Sequence, residues 1–120
     1  MNTEQTTTIK ISDDIIANCV ADTVLGIPGV CQLTGGLTDS ISKNLLGKGT
    51  GTRGVRVSHG ENGITLDIYV IVEYRVKIPQ LAWEIQSSVK KRIETLAELS
   101  VIEVNIHVQG VNLAREEDVE

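Results

Sequence analysis

Residues 64–97 change their period once, and that change constrains the fold more than any other feature of the chain. In "ITLDIYVIVEY", Ile64, Leu66, Ile68, Val70 and Val72 point one way. Thr65, Asp67, Tyr69 and Glu73 point the other, the alternation of a strand with one buried face. Around and beyond Pro79, Ile78, Leu81, Ala82, Ile85, Val89, Ile93 and Leu96 recur at helical spacing. A second alternating run, "VIEVNIHVQG", sets Ile102, Val104, Ile106 and Val108 against Glu103, Asn105, His107 and Gln109. A sheet that is apolar on one face and polar on the other carries its helices on one side only. If the strands around the helix are parallel, the unit is a right-handed crossover.

The remainder of the chain completes such a domain. "ISDDIIANCVADTVLGIPGV" predicts a helix capped by Ser12, with Asp13 and Asp14 in its first turn, where the helix dipole favours acids. Ile16, Cys19, Val20, Thr23, Val24 and Ile27 form its stripe, and Pro28 and Gly29 stop it. "TTIKI" reads as a short edge strand and "GVCQL" as another. "TDSISKNLLG" fits a short helix capped by Thr38 or Asp39 and ended by Gly47. "GKGTGTRG" reads as a flexible loop, and "VRVSH" as a strand joined to the next by the hairpin signal "GENG". The expectation is an α/β (α+β) domain in two layers: a small mixed β-sheet with two long helices packed on one face. It spans residues 9–112, between a flexible tail at 1–8 and an acidic tail at 113–120.

A chain of 120 residues suits one core, and 14 Ile and 14 Val against 10 Leu suggest that strands supply much of it. The net charge of −5 weakens any reading built on global attraction to nucleic acid or anionic lipid. There is no N-terminal apolar leader and no apolar run near the ~18 residues that span a bilayer. This predicts a cytoplasmic protein. Two cysteines make no disulfide framework, and two reduced thiols are expected.

No motif points to catalysis. Gly49, Gly51 and Gly54 satisfy G-x-G-x-x-G, but a dinucleotide fingerprint follows a strand and opens a helix, whereas this one precedes a strand. Lys48 is followed by Gly49 rather than Ser or Thr, so a phosphate-binding P-loop fails as well. "GTRG" matches the G-x-x-G of KH domains, again in the wrong context. His59 and His107 lie far apart in the chain, and no C-x-x-C or H-x-x-x-H pair exists, so neither a metal nor a cofactor is expected. Cys19 on a core stripe makes a poor nucleophile. Asp67, Tyr69, Glu73, Glu103, Asn105 and His107 can gather on the polar sheet face, but that face is flat and active sites are concave.

Two features suit interaction instead. Residues 40–60 contain no acid but hold Lys43, Lys48, Arg53 and Arg56, and Lys90, Lys91 and Arg92 form a second basic cluster. Trp83, the single tryptophan in a chain without phenylalanine, lies about 160° around its helix from Ile85, beside Ser87 and Lys90. The candidate partner-binding residues are therefore Trp83, Lys90, Lys48, Arg53 and Arg56, for a protein partner or a second copy. A nucleic-acid module using the basic glycine-rich loop is the weaker alternative, since the loop has no aromatic residue for base stacking.

Four stretches together resemble the alkaline shock protein family of Gram-positive bacteria: "ISDDIIANCVADTVLGIPGV", "GVRVSHGENGITLDIYVIVEY", "IPQLAWEIQSSVKKRIE" and "VIEVNIHVQGV". The resemblance covers residues 9–112, and "VEY…IP" and "EVNIHVQGV" are its most specific parts. It implies a small non-enzymatic protein of the envelope-stress response. It also implies recruitment to the membrane by an integral-membrane partner, or, as an alternative, a regulatory subunit of a lipid-metabolic enzyme. Two departures stand out. Arg75 follows "VEY" where the family usually has glycine, and "AELS" precedes the last strand where a "TG" turn is common.

Overall fold

The computed structural model describes residues 11–35 and 50–113. Its elements are α1 (Asp13–Leu25), β1 (Val30–Leu33), β2 (Thr50–Thr52), β3 (Val55–His59), β4 (Ile64–Glu73), α2 (Ile78–Ala97) and β5 (Val101–Asn112). The two expected helices and the strands from "GVCQL", "VRVSH", "ITLDIYVIVEY" and "VIEVNIHVQG" are all present. The expected helix over "TDSISKNLLG" and both tails lie outside the described residues. So does "TTIKI" apart from Ile11, which is not in a strand.

β4 organises the sheet. β5 pairs with it in parallel along its whole length, and β3 and β1 share its other edge, both antiparallel. β3 takes the half from Ile64 to Ile68 and β1 the half from Val70 to Val72. Between them, Tyr69 donates to the Gly54 carbonyl at 2.9 Å and accepts from the Thr34 amide at 2.9 Å, so the edge has no gap. The sheet is mixed, and parallel β4 and β5 are joined through α2 as the period change requires.

Ile64, Leu66, Ile68, Val70 and Val72 are all buried, as the alternation predicts. They meet Ile16, Ala17, Val20, Ala21 and Val24 of α1 and Leu81, Ile85, Val89 and Ile93 of α2 in one core. Both helices lie on this face, and the other face of the sheet is open.

Three details of the packing differ from the sequence reading. The buried stripe of α1 is turned toward Ala17 and Ala21, and Cys19 is only half-buried. In β5 a bulge at Ile102 places Val101 in the core and leaves Ile102 52% exposed. The apolar face of α2 is buried only in its middle; Ile78 and Leu96 at its ends are exposed.

The ends of the elements follow local chemistry. Ser12 Oγ accepts the Ile15 amide at 3.2 Å, the expected N-cap. Pro79 sits in the first turn of α2, where its missing N–H costs nothing. "GTRG" is not a flexible loop: Arg53 and Gly54, at φ +54° and +82°, form a two-residue hairpin turn between β2 and β3. Two consecutive positive φ values match the turn to the twist of the strands. A Cβ on Gly54 would stand 2.9 Å from the Thr34 backbone, so only glycine fits there.

Candidate interaction surface

Trp83 is 66% exposed, the most exposed large apolar side chain among the described residues. Its outward direction follows from the helical register that buries Leu81, Ile85 and Val89. The same outer side of α2 carries Gln86, Lys90 and Glu94, and these reach the free edge of β5. Gln86 Nε2 donates to the Val104 carbonyl at 3.0 Å. Lys90 Nζ donates to the Val101 carbonyl at 3.0 Å and to Glu94 at 3.1 Å. Glu94 in turn accepts the Val101 amide at 2.9 Å. The Val101 amide and then Lys90 hold the Glu94 carboxyl below the ordinary glutamate range. Lys90 is therefore a strap onto β5 rather than a free charge beside Trp83.

Beyond Val104 the straps stop. Val108 and Val111 are exposed there, and β5 has no second strand partner among the described residues. The sequence exposes Trp83 and the Lys90–Glu94 spacing, but nothing in it marks Gln86 and Glu94 as caps on a strand edge. That role depends on where β5 runs relative to α2.

The other basic candidates lie elsewhere. Arg53 is bonded to α1, at 3.1 Å from Asp22 and 3.4 Å from Asn18. Arg56 is on the open sheet face, opposite Asp67 in the β3–β4 register. Lys48 lies outside the described residues. Lys91 and Arg92 turn away from Lys90 and line an open groove against α1 with Thr23, Ser88, Thr95 and Leu96.

The open face gathers polar groups as the alternation suggests. Asp67 Oδ1 accepts from Asn105 Nδ2 at 3.2 Å and lies 2.9 Å from His107 Nε2. The His107 ring stacks on Tyr69, with centroids 4.4 Å apart and planes 11° from parallel. Asn105 and His107 of β5 both reach Asp67 of β4, so the cluster ties the two strands together. Among the described residues no three His, Cys, Asp or Glu side chains converge as metal ligands. No described helix is long and apolar enough to cross a membrane.

By architecture the described residues form a small two-layer α+β domain with one open sheet face, and the outer edge of β5 pairs with no strand among them. It belongs to the alkaline shock protein 23 family, described as having a cell envelope-related function, whose profile matches residues 1–113. The resemblance to the alkaline shock proteins read from the sequence is thus correct. The uncharacterized protein Spy1535 of Streptococcus pyogenes is 37% identical over 112 residues, covering 88% of this chain and 83% of that one. A stress response regulator gls24 homolog of the same species is 24% identical, over 93% of this chain and 63% of that one. Among solved structures, a zinc form of MamM CTD H264E superposes with a TM-score of 0.54 at 13% identity, covering 88% and 89%. That likeness extends to the fold alone.

Proposed function

We propose that the chain is a non-catalytic protein of cell-envelope stress homeostasis that acts by binding other proteins. Its site of action is the cytoplasmic side of the membrane, where an integral-membrane partner holds it. The observation that carries this reading is the exposed Trp83 on the outer side of α2, in a family of envelope-related function. Tryptophan is enriched where interfaces concentrate their binding energy. The polar cluster of the open face supports the non-catalytic part. It lies on the open sheet face, with Asn105 and His107 both engaged by Asp67 and Tyr69 stacked on His107, whereas active sites are concave.

Affinity capture from a detergent-solubilised membrane fraction of the native host tests the proposal. An integral-membrane protein should co-purify. Expressing the pair in a foreign host should move the chain from the supernatant to the membrane pellet. Tight binding of the purified chain to protein-free vesicles, or a pellet fraction unchanged by the co-purified protein, would overturn it.

A further inference from the structure

α2 meets its surroundings with three rows of side chains. Leu81, Ile85, Val89 and Ile93 enter the core, and Gln86, Lys90 and Glu94 reach toward β5. The third row, Ser88, Lys91, Arg92 and Thr95, turns toward α1. With Leu96 and with Thr23 of α1 it lines an open groove of about 560 Å³ between the two helices. Trp83 points elsewhere, roughly 120° around α2 from the middle of this row.

The groove is cationic although the chain carries a net charge of −5. Arg53 is held by Asp22 and Lys90 by Glu94, whereas the side chains of Lys91 and Arg92 have no ion-pair or hydrogen-bond partner among the described residues. No described carboxylate lines the groove. Glu84, one turn before Ser88, lines a separate pocket with Pro28 and Lys77. Two adjacent cations without a counter-charge repel each other, and an anion between them relieves that repulsion. In an acidic chain such a place also concentrates the attraction for an acidic ligand.

The shape of the groove selects among anions. A lone phosphate is held where several donors converge on one point. Here the donors are spread from Ser88 to Thr95, about two turns or ~10 Å of helix, and the row ends at Leu96, which is 44% exposed. A furrow between two packed helices, cationic along its rim and apolar at one end, matches an amphipathic helix laid along it. Its carboxylates would meet Lys91 and Arg92, its hydroxyl-facing side Ser88, Thr95 and Thr23, and an apolar residue would cover Leu96.

We infer that the α1–α2 groove is the docking site for an acidic amphipathic helix of a partner protein. The inference rests on the reading that the chain works by binding other proteins, and it gives one such partner a chemistry and a place. It is tested on the purified chain with a synthetic peptide, so its outcome is separate from capture of a membrane protein.

The experiment titrates the chain with a helical peptide of about 15 residues that carries glutamates and leucines on one face, followed by backbone-amide NMR. The amides of Thr23, Ser88, Lys91, Arg92, Thr95 and Leu96 should shift with a Kd below about 1 mM, and those of β5 should stay in place. Lysine in place of each peptide glutamate should abolish the shifts. Lys91→Glu combined with Arg92→Glu should weaken binding at least about tenfold. Lys77→Glu, a charge reversal outside the groove, should weaken it less than about twofold. An absence of groove shifts at about 1 mM peptide would overturn the inference, as would equal binding of the lysine peptide. Inorganic phosphate that moves the same amides with equal affinity would make the groove a simple anion site and overturn it too. So would movement of those amides on deletion of residues 114–120, which would make the acidic segment "REEDVE" of the chain itself the occupant.

Discussion

The Glu94 carboxylate accepts the backbone N–H of Val101 at 2.9 Å, so a helix side chain occupies the outward amide at the start of the edge strand. That bond, with Lys90, lowers the Glu94 pKa from its ordinary 4.5. A carboxyl with a lowered folded-state pKa stabilises the fold above its unfolded value. The contribution disappears as the pH falls through the lowered value. Thermal melts between pH 7 and pH 3 should therefore show a steeper acid loss for the parent than for Glu94→Gln. Parallel curves would mean that the strap carries no charge-dependent stability.

Arg75 and Glu98 adopt φ values of +75° and +56°, which side chains other than glycine reach at a cost of about 1–2 kcal/mol. Arg75, and the "AELS" segment that holds Glu98, are the two departures that the resemblance marks in the sequence. Each turn is nonetheless made: Val76 bonds back to the Glu73 carbonyl at 3.4 Å, and Glu98 caps α2 through the Glu94 carbonyl at 3.1 Å. Arg75 also lies over the Tyr74 ring at 5.4 Å, an exposed contact of modest value. Glycine at either site relieves the backbone but adds entropy to the unfolded chain. Arg75→Gly and Glu98→Gly should each raise stability by up to about 1 kcal/mol in urea unfolding.

Gly63 gives the opposite sign. Its φ is +151°, and a Cβ there would collide with the Ser100 carbonyl oxygen, which accepts the Ile64 amide at 2.9 Å. Gly63→Ala must push apart the turn before β4 and the turn before β5. The expected loss is about 2 kcal/mol or more, read from the same urea curves.

The polar cluster of the open face yields a smaller effect. Asp67→Ala removes the acceptor shared by Asn105 and His107 across the β4–β5 pair. Because the cluster is partly open to water, the expected cost is about 1 kcal/mol. Trp83 lies on the helix side of the sheet, so its emission should not move.

The sequence makes the frame legible because its periods are long and clean. Ten residues of β4 alternate without interruption, and α2 keeps its register from Leu81 to Ile93. Where the sequence misleads, a short-range pattern is broken by something with no residue signature. The bulge at Ile102 shifts β5 by one residue, and no glycine or proline announces it. On α1, helical spacing from Ile16 puts Cys19 and Thr23 on the stripe, yet Ala17 and Ala21 are the residues that fit against the core. The Arg53–Gly54 turn lacks the asparagine or aspartate that usually marks such hairpins. That β1 and β3 share one edge of β4 is a matter of pairing, which periodicity does not encode. Of the candidate site, the outward register of Trp83 could be read from the helix. The capping of β5 by Gln86, Lys90 and Glu94 depends on tertiary placement alone.

Trp83 and Ile85 are two residues apart on α2 and separate its outer face from the core. Ile85 is fully buried against the sheet, whereas Trp83 stands 66% exposed on the far side of the helix. Truncating Ile85 leaves a cavity that close packing cannot refill, and Ile85→Ala should cost about 2–5 kcal/mol. Truncating Trp83 removes surface that water already reaches, so Trp83→Ala should change stability by no more than about 0.5 kcal/mol. The comparison has to be made in dilute solution, because any self-association would stabilise the parent by mass action and mimic a core effect. Urea unfolding of both variants followed by circular dichroism avoids reliance on the tryptophan signal that one variant lacks. Equal losses for the two substitutions at the lowest concentration would place Trp83 in the core and contradict the register of α2.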